Sequence, residues 1–157
     1  MIQRIQSVYL LISIICLSIV TFGVTIFSFE TSSGYTNFTS YGFEEFDKMN
    51  KSLGLTSQPY FIITISVILI TILALFSYKN LKRQFNLCRF ILVINSFIIL
   101  ALVFILIYWK SFIPQKEATL KFGLGFFLLI VSAPLIFLAS KGIKRDKKLL
   151  DSLNRLR

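Results

Sequence analysis

The sequence predicts an all-α membrane protein: four transmembrane helices, a large first outer loop and a basic amphipathic C-terminal helix. Three observations predict it. Apolar residues gather in four charge-free blocks, each long enough to cross a hydrocarbon core of about 30 Å at a helical rise of about 1.5 Å per residue. The 17 Lys and Arg residues, against 7 Asp and Glu, flank these blocks and do not interrupt them. Hydrophobic residues make up 55% of the chain and mean hydropathy is +0.77, more apolar matter than a domain in water covers.

The first block, between Arg4 and Glu30, predicts a span over about 7–29. It exceeds the apolar core of a cleaved leader, about 7–15 residues, and no small-residue cleavage site closes it. Ile14 and Ile15 precede Cys16, where a lipoprotein signal needs a small residue. The block therefore reads as a retained helix. Residues 30–59 form the only sizeable extramembrane segment, and it is too short for a domain of its own. Its aromatics Tyr35, Phe38, Tyr41, Phe43 and Phe46 suit interfacial packing or a cap over the helices.

The second span covers about 60–78. Its run Phe61–Ile70 is continuously apolar, unlike the alternating strands of a membrane barrel. High β-branched content favours strands in water, but in lipid every backbone amide needs an internal partner, which favours helices. The third span covers about 90–109 and the fourth about 121–140. In the tail, 141–157, Leu149, Leu150, Leu153 and Leu156 gather on one helix side and Lys144, Lys147, Lys148 and Arg155 fill much of the rest. Such a helix lies in the interface with its cations on anionic headgroups.

Charge sets the orientation. Twelve of the 17 cations fall at the N-terminus, between spans two and three, or in the tail. The positive-inside rule then puts both termini and the short second loop in the cytoplasm. Four of the seven carboxylates, Glu30, Glu44, Glu45 and Asp47, fall in the outer loop. With the cations bordering apolar blocks, the charge of +10 reads as membrane attraction and orientation, and no nucleic-acid partner is expected.

The chain has no His and no CxxC, and only Cys16 and Cys88 as thiols, so neither a metal site nor a cofactor is expected. No Asp, Glu, Lys, Arg or His falls inside a predicted span. That argues against ion- or proton-coupled transport, which leaves an intramembrane ionisable group, and against an enzyme.

The candidates that remain are weakly polar. Asn95 is the most polar residue expected to be buried, with Ser96 beside it. Ser18, Thr21, Thr25 and Ser28 would share one helix face, and Gly125, Ser132 and Ala139 repeat at seven; both patterns suit close helix packing. Pro134 should bend the fourth helix and free a carbonyl. At the cytoplasmic face, Gln3, Arg4, Gln6, Asp151, Arg155 and Arg157, with the tail lysines, offer amides and planar forks to a partner or a headgroup.

The two ends carry a resemblance. The opening Met1-Ile-Gln-Arg-Ile-Gln-Ser-Val-Tyr-Leu-Leu11 and the ending Ile143-Lys-Arg-Asp-Lys-Lys-Leu-Leu-Asp-Ser-Leu-Asn-Arg-Leu-Arg157 resemble a family of small four-span bacterial membrane proteins, mainly of Bacteroidota, described as a domain of unknown function. The family's tail ends Asp-Arg-Leu-Arg, and Asn154 stands here in the Asp position. The resemblance implies a cytoplasmic-membrane protein and no particular activity. The function expected from the residues is a non-catalytic accessory or assembly subunit, binding a membrane partner or a copy of itself. The alternative is a passive small-solute transporter or lipid-handling protein, acting as an oligomer around Asn95 and Pro134.

Overall fold

A computed structural model describes residues 5–31, 34–49, 51–57, 60–112 and 119–155, apart from the side chains of 109–112, 150, 151 and 153–155. The first apolar block does not stay helical. α1 runs Ile5–Thr21 and stops where Gly23 takes a φ of 90°, a left-handed conformation that glycine adopts without steric cost. Phe22 N–H still reaches the Ser18 carbonyl at 3.0 Å, and Gly23 N–H reaches that of Val20 at 3.3 Å. Four residues later β1 begins, Phe27–Glu30.

β1 opens a sheet that the sequence reading did not foresee. β2 (Gly34–Thr39), β3 (Gly42–Asp47) and β4 (Ser52–Ser57) follow within the first loop. β5 (Thr119–Phe122) comes from the segment before the last helix. The order is β4-β3-β2-β1-β5, and every neighbouring pair is antiparallel. The all-α expectation is therefore wrong, and the fold is mixed α/β. The length of an apolar run decides for helix only where a backbone has no other partners. Here residues 27–57 and 119–122 supply those partners to one another, and the alternation Phe27, Phe29 and the β-branched and aromatic residues of β2 take their ordinary strand preference.

One sheet face carries the core at this end. Phe27, Phe29, Phe38 and Phe43 are buried. Phe27 stacks on Phe38 with centroids 4.7 Å apart, and Phe38 lies 4.7 Å from Phe43. Tyr60, the first residue of the next helix, approaches Phe38 at 6.0 Å. On the opposite face Tyr35 stacks on Phe46 at 4.9 Å, and Lys121 Nζ meets Glu30 Oε1 at 2.6 Å.

α2 spans Tyr60–Phe76 and passes through a 3-10 turn, Ser77–Lys79. α3 then starts at once and spans Leu81–Phe112. Asn80 caps it, its side-chain oxygen accepting from Arg83 N–H at 3.2 Å. The expected inner loop thus shrinks to one tight turn, and Lys82, Arg83 and Arg89 become helical. α4 spans Leu124–Arg155, with Pro134 inside it. It begins after β5 and runs without a break through the residues read as a separate tail.

α1 packs on α2 and α4, and α3 packs on α2 and α4. The sheet lies at the end where α1 and α3 finish and α2 and α4 begin. The polarity of this helical layer is the reverse of that in water. Polar Ser13, Thr64, Thr71, Asn95 and Ser132 are fully enclosed, while Phe97 and Phe104 are 67% and 68% exposed. Three segments, Tyr60–Lys79, Leu81–Tyr108 and Leu124–Leu149, are long and apolar enough to cross a membrane, and α1 is a shorter apolar helix.

Candidate functional site

Three polar constellations tie the elements together. The deepest joins α3 to α4. Asn95 Nδ2 donates to Ser132 Oγ at 2.8 Å, and Ser132 passes its own proton to the Leu129 carbonyl at 2.7 Å. Both side chains are fully buried, and the Asn95 Oδ1 has no partner among the described residues. Ser96, next to Asn95, is exposed and bonds the Leu92 carbonyl of its own helix.

The second lies where the sheet meets the helices. Ser40, in the two-residue turn between β2 and β3, is fully buried. Its hydroxyl donates to the Thr21 carbonyl at 2.9 Å, and its carbonyl accepts from Phe61 N–H at 2.9 Å. One residue thus satisfies the C-terminus of α1 and the N-terminus of α2. Thr21 Oγ1 donates to Thr64 Oγ1 at 3.0 Å, and Thr64 donates to the Phe61 carbonyl at 2.9 Å. Thr25 and Ser28, expected on a helix face with Ser18 and Thr21, lie beyond the end of α1, Ser28 within β1. At the same level Gly123 N–H donates to the Ile26 carbonyl at 2.9 Å and Gly125 N–H to that of Thr25 at 3.0 Å.

The third lies at the far end. Gln6 of α1 is buried, and its Nε2 donates to Asp146 Oδ2 of α4 at 2.6 Å. Gly142, one turn before Asp146, lets the helices approach, since a Cβ there would fall 2.7 Å from Gln6 Cγ. Gln6 is therefore engaged inside the molecule. Lys144 and Lys148 are exposed, and Lys147 is half-buried. Asp151 and Arg155 lie on α4, while Gln3, Arg4 and Arg157 lie outside the described residues. Pro134 is exposed on α4, away from the enclosed Asn95–Ser132 pair.

Between α3 and α4, on the side away from the sheet, runs an open groove of about 580 Å³. Arg89, Lys141 and Lys144 border it, beside Phe85, Val93 and Phe137. The sequence reading used Arg89 only for orientation. Its signal was its place at the edge of an apolar block. Ser40 and Thr64 were missed as well, because a hydroxyl that bridges elements looks like any other until the turn beside it is known.

Cys16 and Cys88 are both free and buried. Among the described residues no group of three His, Cys, Asp or Glu side chains is placed to hold a metal ion.

The model of a family described as a domain of unknown function, DUF4293, matches residues 2–156. No curated protein and no solved structure matches the chain.

Proposed function

The chain belongs to the DUF4293 family, and we propose that it is a multi-pass protein of the bacterial cytoplasmic membrane that serves a membrane partner as a non-catalytic accessory or assembly subunit. The observation that carries the membrane reading is the reversed polarity of the helical layer, with polar side chains enclosed and large apolar ones outward. α1, at 17 residues, reaches the lower bound of about 17 for a spanning helix, so it joins the three longer ones as a span. Glu30, Glu44, Glu45 and Asp47 lie at the sheet end with Lys48, Lys51 and Lys121, and Lys79, Lys82, Arg83, Arg89, Lys141, Lys144, Arg145, Lys147 and Lys148 lie at the other with Asp146. That division supports an outer sheet and cytoplasmic termini.

The accessory role is supported by the way the sheet is held. Its interior strand β1 lies a short turn from α1, its edge strand β5 is one residue from α4, and its β2–β3 turn caps two helices. It is a fixed platform facing one side of the bilayer. Two experiments test the reading. The variants Lys148→Cys and Leu53→Cys, each adding one exposed thiol, should react with an impermeant maleimide from the cytoplasmic and the outer side respectively; the native Cys16 and Cys88 are buried. The reverse pattern would overturn the orientation. Blue-native electrophoresis after mild extraction should show a complex larger than 18.0 kDa, beyond the added detergent, and a lone monomer throughout would overturn the accessory role.

A further inference from the structure

We propose that the groove between α3 and α4 binds one anionic phospholipid of the cytoplasmic leaflet, its headgroup phosphate held by Arg89, Lys141 and Lys144. The proposal rests on the orientation given above. Three observations on the groove carry it.

The first is charge. The described residues lining it carry three cations and no carboxylate. Asp146, the nearest acidic residue in α4, is occupied by Gln6 on the α1 side. The planar guanidinium of Arg89 suits two phosphate oxygens at once, and two ammonium groups add point charges. The half-buried hydroxyl of Ser140 also lines the groove and offers a donor.

The second is the order of residues along the groove. α3 runs toward the sheet and α4 away from it. Leu92, Val93 and Phe137 therefore lie nearer the sheet, toward the bilayer centre, than Arg89, Lys141 and Lys144, while Phe85 lies one turn farther from the sheet than Arg89. An amphiphile with an anionic head and apolar chains matches that order, and a free anion leaves the apolar half uncovered. Arg89 and Val93 also border a second, shallow groove along the exposed face of α3, of about 290 Å³, with Asn86 and Phe90.

The third is depth. From Arg89 to Tyr108, the end of the apolar segment of α3, the helix rises about 28 Å, and from Leu124 to Lys141 of α4 about 26 Å. A hydrocarbon core is about 30 Å thick. Two cations from different helices thus reach the same level, at the inner boundary of the core, where headgroup phosphates lie.

The test is native mass spectrometry of the full chain released from nanodiscs of equal parts phosphatidylglycerol and phosphatidylcholine. The expected result is retention of one phosphatidylglycerol. The variant Arg89→Gln/Lys141→Gln/Lys144→Gln should lose that retention by about a hundredfold, at roughly fivefold per cation. The control Lys79→Gln/Lys82→Gln/Lys148→Gln, of equal charge at the same end, should keep it. Val93→Trp, which fills both grooves and leaves every charge, should also lose it while melting as a folded protein. Equal losses in the two triple variants would overturn the site in favour of diffuse charge attraction. Equal retention of phosphatidylcholine, or displacement of the lipid by inorganic phosphate, would overturn it too. Retention that follows these variants while the maleimide pattern is reversed would leave the lipid site standing and remove only its assignment to the cytoplasmic leaflet.

Discussion

Single residues decide where the elements of this protein can touch. A Cβ at Gly123 would lie 2.1 Å from the Thr25 carbonyl oxygen, and backbone has little room to give. Gly123→Ala should therefore destabilise by about 1–3 kcal/mol, the usual cost of overpacking, read as a lower melting temperature in detergent. Gly54 is the control, because a Cβ there meets nothing within 4 Å; Gly54→Ala should melt as the wild type does. Ser132→Ala removes the acceptor of the Asn95 amide and leaves that side chain enclosed with neither end bonded. Interhelical hydrogen bonds in membranes contribute about 0.6 kcal/mol on average and up to about 1.7, so the loss should fall in that range. A paired Asn95→Leu/Ser132→Ala variant should recover part of it, since replacing both partners by apolar groups avoids the orphaned amide. A double-mutant cycle of thermal unfolding checks both statements.

At the scale of elements, the sheet predicts unequal protection. β1 lies between β2 and β5, whereas β4 pairs only with β3 and all six of its residues are exposed. Hydrogen exchange followed by mass spectrometry should find the amides of Phe27–Glu30 among the slowest of the sheet and those of Ser52–Ser57 the fastest. Much of the helical layer was legible in the sequence. The runs 60–78 and 90–109 lie within the second and third helical segments, because a long charge-free block admits little else in lipid. The strands were not legible for a definite reason. Val24-Thr25-Ile26-Phe27 is as apolar as the helix before it, and only Gly23 marks the break. A lone glycine in a membrane helix is an ordinary packing residue, so it did not read as a stop. β5 was hidden more deeply, since Thr119–Phe122 is a strand only because β1 stands ready to pair with it. Of the candidate residues, Asn95 was legible as a buried amide from its isolation in an apolar run. That Asp146 can pair with the N-terminal segment was legible, since an even number of spans brings the two ends to one face; Gln6 as its partner was not, because the contact spans 140 residues and depends on α4 continuing unbroken past Lys141.

For the whole molecule, solvent choice is the governing fact. With the phenylalanines Phe97 and Phe104 of the helical layer outward and the Asn95 amide inward, the chain should stay with the membrane pellet after alkaline carbonate washing, and release into the wash would contradict the fold's polarity. The salt bridge between Lys121 and Glu30 is exposed on both sides and adds little to stability; Glu30→Gln should leave the melting temperature within about a degree. The pairing of β1 with β5 has a consequence for synthesis. Phe27 meets Phe122 across that ladder, so a strand synthesised earlier waits for one synthesised well after it. Until the ribosome has delivered residue 122, β1 carries a bare edge, open to any extended stretch of polypeptide that drifts past. Arrival of β5 is then the event that seals it.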